Sequence, residues 1–274
     1  MFLAGLLILA FLFLFRRSKL KISKAHIFPL LLLGLSSVYL ANAFEFWGLQ
    51  YLSAAKACLI YSLSPFIAAT LSYFRFREKI TPKKIFGLFI GFIGFAPVFL
   101  YDSADEYLAG KFCGFSWAEI AIILATMTSV YGWILLRKLG KDEGVSPVVA
   151  NGISMVFGGL MALIHATFVE GVYPVAPGEG AEFFKWISVM IVVSNLFCYN
   201  LYGWLLKRFT ATFLSFAGLT TPIFAAVWGF VMHRETVPYS FFISMGIVAL
   251  GLWLVYAEEL RLGYITRGVK RDPT

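Results

Sequence analysis

Glu45 and Lys56 are the first residues of this chain to need a chemical explanation. They are a carboxylate and an ammonium on either side of the short connection "WGLQYLSAA", each at the edge of a long apolar run. A charge held in hydrocarbon is costly and ordinarily faces a cavity or another charge. Two readings suit the pair. Glu45 and Lys56 are anchors for a zwitterionic ligand, taking its amine and its carboxylate. Alternatively they form an ion pair that locks the hairpin, or snorkel to the interface. A second group lies in "WISVMIVVSNLFCYNLYGWLL", where Asn195, Tyr199 and Tyr202 recur at helical spacing with Asn200 beside them. An amide in an apolar run still needs partners, so this face lines a cavity or bonds to a neighbouring helix. Tyr61, Tyr131, Tyr39, Asn42 and Asn151 are candidates of the same kind.

Pro65 and Pro222 form a third group. A proline inside an apolar span removes a backbone hydrogen bond that lipid cannot replace. Each is read as a hinge that frees carbonyls towards a cavity, or as a bend that only shapes packing. Glu78 and Glu235 sit among basic neighbours at helix ends and are read as structural. The three cysteines, Cys58, Cys113 and Cys198, match no metal or redox spacing, and His165 and His233 stand apart. No nucleotide loop and no nucleophile–base arrangement is present, so neither an enzyme nor a cofactor nor a metal is expected.

The elements that must position these residues follow from composition. The chain is 60% hydrophobic, 18% aromatic and 14% charged, with a formal charge of +8. That much apolar surface exceeds what a soluble domain of 274 residues can bury. The excess positive charge then marks cytoplasmic loops and anionic lipid, not nucleic acid. Nine apolar spans are read, over 1–15, 27–47, 54–74, 84–101, 117–136, 147–169, 186–206, 211–232 and 239–257. With the basic run 16–24 in the cytoplasm, strict alternation leaves only Lys56, Lys111, Lys185 and Arg234 outside, of 23 basic residues. The expected fold class is all-α, a polytopic helical bundle with a cytoplasmic C-terminus.

The prolines also expose a repeat. Laying Pro65 over Pro222, a shift of 157 residues, brings "SPFIAA" over "TPIFAA", Glu78 over Glu235, Trp47 over Trp204 and Gly94 over Gly251. The charge rule puts the two glutamate turns on opposite sides, so the copies are inverted. Inverted repeats are typical of transporters that alternate access to a midplane site.

"GLQYLSAAKACLIYSLSPFIAATLSYFRFREKITPKKIFGLFIGFIGF" resembles the EamA repeat of the drug/metabolite transporter superfamily. The same pattern returns in "RFTATFLSFAGLTTPIFAAVWGFVMHRETVPYSFFISMGIVALGLWLV". The resemblance implies two inverted five-helix repeats and a secondary transporter moving a small metabolite across the inner membrane, in exchange for a counter-substrate or with a proton. The first repeat is placed at 1–101, the second at 115–257 and a basic cytoplasmic tail at 258–274. The first repeat has four spans against five, so one N-terminal helix is expected to be missing. "YLSAAKACLIYSLSPF" is also similar to transporters that exchange S-adenosylmethionine for S-adenosylhomocysteine in obligate intracellular bacteria. An amino-acid or drug exporter of the same superfamily, and a non-transporting membrane scaffold, are the alternatives.

Overall fold

The computed structural model describes residues 1–16, 22–76, 81–94, 108–169, 180–207, 209, 214, 218, 220–233 and 239–262. The described residues are helical apart from turns and one small hairpin. The helices are α1 (Phe2–Phe15), α2 (Lys24–Gly48), α3 (Ala54–Tyr61), α4 (Ser64–Phe76) and α5 (Pro82–Ile93). They continue with α6 (Trp117–Lys141), α7 (Pro147–Val169), α8 (Gly180–Leu205), α9 (Thr220–His233) and α10 (Tyr239–Arg261). Each apolar span read from the sequence overlaps one of these, α3 and α4 sharing the third, while residues 95–101 of the fourth and most of 211–219 of the eighth lie outside the described residues. Six segments among the described residues are long and apolar enough to cross a membrane. Glu78 and Glu235 lie outside the described residues. The helix α10 continues through Glu258 to Arg261, so the tail placed at 258 begins later in backbone terms.

Local chemistry explains the boundaries. Ser53 caps α3, its side chain accepting from the Lys56 amide, and Thr81 caps α5 in the same way, with Pro82 in the first turn. Before α6, Lys111–Phe112 pairs with Phe115–Ser116 across a Cys113–Gly114 turn with φ of 49° and 86°. Both turn residues are left-handed, as a tight hairpin connection demands. Ser116 and Glu119 then cap α6 reciprocally. Glu119 Oε2 accepts from the Ser116 amide at 2.8 Å, and Ser116 Oγ accepts from the Glu119 amide at 3.1 Å.

Pro65 breaks its span where a bend was expected. It has no N–H to give the carbonyl of Tyr61, and α3 ends at Tyr61. The amides of Phe66 and Ile67 both return to the Leu63 carbonyl, so α4 starts afresh with Pro65 in its first turn. Pro222 likewise lies in the first turn of α9.

The shift of 157 residues also relates the observed helices. It moves 24–48 onto 181–205, against α8 at Gly180–Leu205. It moves 64–76 onto 221–233, against α9 at Thr220–His233, and Pro82 onto Tyr239, where α10 begins. Two stretches are wound as π-helix, Gly34–Leu40 in α2 and Met190–Cys198 in α8. They are equivalent under the same shift.

The chain divides into two units, residues 1–43 with 128–208 and residues 44–127 with 209–274. In the first, α1 lies along α7. Ala4, Ile8 and Leu12 pack with Val38, Val149 and Met155. In the second, α5 lies along α10. A Cβ on Gly87 would stand 2.8 Å from the Gly251 carbonyl oxygen, so the backbones touch. Lipid tails offer no hydrophobic gain to helix pairing, and close backbone approach through small residues is what holds such a pair. Gly246 has nothing within 4 Å of its would-be Cβ among the described residues and takes no part. The second core gathers Leu59, Ile60, Phe66, Ile122, Phe241 and Leu252.

Candidate functional site

In the second unit the charged residues do not pair as their spacing suggests. Lys56 Nζ is 2.8 Å from Glu119 Oε1. Lys56 is buried and Glu119 is fully buried. Both belong to first helical turns, so capped helix ends hold the pair in place. Glu119 is engaged at both oxygens, by Lys56 and by the Ser116 amide. The hairpin ion pair, one of the readings of Glu45 and Lys56, is not formed among the described residues: Lys56 meets Glu119, and Glu45 meets Tyr61. Glu119 went unnoticed in the sequence, although "SWAE" carries the spacing of a capping box.

Glu45 is half-buried and accepts a hydrogen bond from the Tyr61 hydroxyl at 3.0 Å. It makes no ion pair among the described residues. The elements against it are α3, which presents Tyr61 and Cys58, and the first turns of α6, which meet Gly48 through Ile122 and Ala118. The charged groups there, Lys56 and Glu119, are already joined. Glu45 and Tyr61 are thus brought together as a carboxylate with an aromatic hydroxyl donor, with no ion pair to Glu45 among the described residues. Such a carboxylate suits a positively charged or proton-donating ligand.

In the first unit the π-helical turn of α8 carries Asn195. Its side chain is 3% exposed, and its Oδ1 has no hydrogen-bond partner among the described residues. A buried acceptor left open is costly and matches a ligand that donates. The other residues on this helix are occupied. Asn151 on α7 donates to the Tyr199 carbonyl at 3.0 Å and to Asn200 Oδ1 at 3.2 Å. The Tyr199 ring packs on the core formed by α1 and α7, and the Tyr202 ring meets Trp133 at 5.0 Å. The three residues expected on one face therefore serve different ends: Asn195 open, Tyr199 packed, Tyr202 against an aromatic. The π-winding is the reason, since its wider turn resets the angular spacing along the helix. Tyr131 is 40% exposed on α6 and is not drawn into this group. Pro65 and Pro222 are buried at the starts of α4 and α9, positions from which they set helix direction.

Residues 1–100 and 116–257 match the model of the EamA-like transporter family. The chain is 40% identical over 266 residues to a protein of Chlamydia trachomatis serovar L2 named an S-adenosylmethionine/S-adenosylhomocysteine transporter, covering 97% of this chain and 81% of that one. A Chlamydia muridarum protein of the same name is 37% identical, covering 97% and 83%. A WAT1-related chloroplastic protein of Arabidopsis thaliana is 25% identical over 240 residues, covering 85% of this chain and 55% of that one. A solved crystal structure shares the fold with a TM-score of 0.63 at 20% identity, covering 94% of this chain and 85% of its own.

Proposed function

The chain belongs to the EamA-like transporter family, a family of multi-pass membrane proteins, and on that premise we propose that it carries S-adenosylmethionine inward across a bacterial inner membrane in exchange for S-adenosylhomocysteine. The named relatives support this substrate pair, since they match nearly the whole chain. The observation that carries the reading is Glu45: a half-buried carboxylate, held by Tyr61, that makes no ion pair among the described residues. S-adenosylmethionine supplies an ammonium and a sulfonium, and either satisfies a carboxylate that the protein leaves unmatched. Tyr199 lies one turn from Asn195 in sequence, and Pro65 and Pro222 stand in the first turns of α4 and α9. Lys56 is assigned to the fold through Glu119, not to the ligand carboxylate. The basic loops support a cytoplasmic C-terminus.

The test is uptake of labelled S-adenosylmethionine by cells or vesicles containing the protein. Uptake should be stimulated by internal S-adenosylhomocysteine and slowed at least about tenfold in Glu45→Gln. Equal uptake by vesicles with and without the protein would reject the reading and leave a membrane scaffold.

A further inference from the structure

We propose that Glu45 carries a proton through one half of the transport cycle, so that each S-adenosylmethionine entering is matched by one S-adenosylhomocysteine and one proton leaving. The inference rests on the substrate reading above and adds the coupling ion to it.

The argument is one of charge. S-adenosylmethionine bears an ammonium, a carboxylate and a sulfonium, and is a net monocation. Loss of its methyl group leaves a thioether, so S-adenosylhomocysteine keeps the ammonium and carboxylate and is net neutral. The two cargoes differ by one positive charge at the sulfur. A site that alternates between them must compensate that charge or leave it bare in the membrane, where an unmatched ion is strongly disfavoured.

Glu45 is the group placed to compensate. It makes no ion pair among the described residues, and the charged groups on the facing elements, Lys56 and Glu119, neutralise each other. Tyr61 and Cys58 are the other titratable groups facing it from α3. With the monocation bound, the ionised carboxylate balances the sulfonium. With the neutral thioether bound, nothing balances it, and the carboxylate takes a proton instead. Proton and sulfonium are thus alternative partners of one oxygen pair. The Tyr61 hydroxyl suits both states, because it donates to a carboxylate and accepts from a carboxylic acid. Glu45 is only half-buried, so a proton can reach it. The loaded site is neutral in both crossings, and the full exchange moves no net charge.

The experiment uses purified full-length chain in liposomes preloaded with S-adenosylhomocysteine, with labelled S-adenosylmethionine outside. Potassium and valinomycin set the potential, and buffers set the pH gradient separately. The proposal expects an inside-acid gradient of about one pH unit to raise steady-state accumulation about tenfold, by one-to-one linkage. An imposed potential of either sign should leave it unchanged. In Glu45→Gln the residual exchange, expected at least about tenfold slower, should ignore the pH gradient and follow an inside-negative potential. Wild-type accumulation that follows the potential and ignores the pH gradient would overturn the proposal while leaving the substrate reading intact. Absence of any exchange under every gradient would overturn the substrate reading itself.

Discussion

At the scale of single residues the structure sorts charge into two jobs. Lys56 and Glu119 satisfy each other inside the protein, so either alone should be damaging. Lys56→Met or Glu119→Gln leaves a buried charge unmatched, at a cost of about 3–5 kcal/mol. The double variant Lys56→Met with Glu119→Met should recover most of that, measured by thermal unfolding in detergent, with an unchanged KM for transport. A raised KM in the recovered double variant would place Lys56 on the ligand after all. Tyr61→Phe removes a hydrogen bond to a charged group, worth about 1.5–3 kcal/mol. It should raise the KM for S-adenosylmethionine roughly tenfold or more without lowering thermal stability comparably, and a wild-type KM would show that Glu45 needs no orienting donor. Glu45 and Lys56 were legible in the sequence because a charge in an apolar run is conspicuous. Their partners were not, because Glu119 reaches Lys56 from a helix far along the chain, and no local pattern encodes that meeting.

At the scale of elements, helix positions were legible from apolar length and caps, but winding was not. The π-helical stretches Gly34–Leu40 and Met190–Cys198 are apolar on nearly every side, so their altered period leaves no stripe to read. Pro65 and Pro222 were visible, yet their effect depended on whether the helix bends or restarts. In the third span Tyr61 ends one helix and Pro65 opens the next. Pro65→Ala restores the amide for the Tyr61 carbonyl and favours fusion of α3 with α4, which would shift Tyr61 away from Glu45. Exchange should slow several-fold at unchanged protein level, and a wild-type exchange rate would mark the break as packing alone. The glycines divide sharply. Gly251→Val should strip folded protein from the membrane, because its Cβ would enter the backbone at Gly87 and Gly91, whereas Gly246→Ala should be tolerated. Equal yields of the two variants, read by immunoblot, would contradict the packing of α5 on α10.

At the scale of the whole molecule, the repeat was legible because two prolines and their flanks set one shift, and the observed helix ends obey it. Each compact unit contains parts of both repeats, which the sequence could not show, since pairing of α1 with α7 and of α5 with α10 depends on close glycine contacts and not on order along the chain. The charge pattern leads us to propose that the loop with Cys113 lies outside, and this cysteine is exposed. An impermeant maleimide should label it in intact cells and not label Cys113→Ser, while a cysteine at position 18 should stay unlabelled. The most direct test of the central claim is counterflow in liposomes: initial uptake of labelled S-adenosylmethionine with internal S-adenosylhomocysteine, internal adenosine or empty lumen. The account predicts strong acceleration by S-adenosylhomocysteine alone, with the accelerated uptake slowed at least about tenfold in Glu45→Gln. Uptake at one rate under all three internal conditions, or full acceleration in Glu45→Gln, would contradict it.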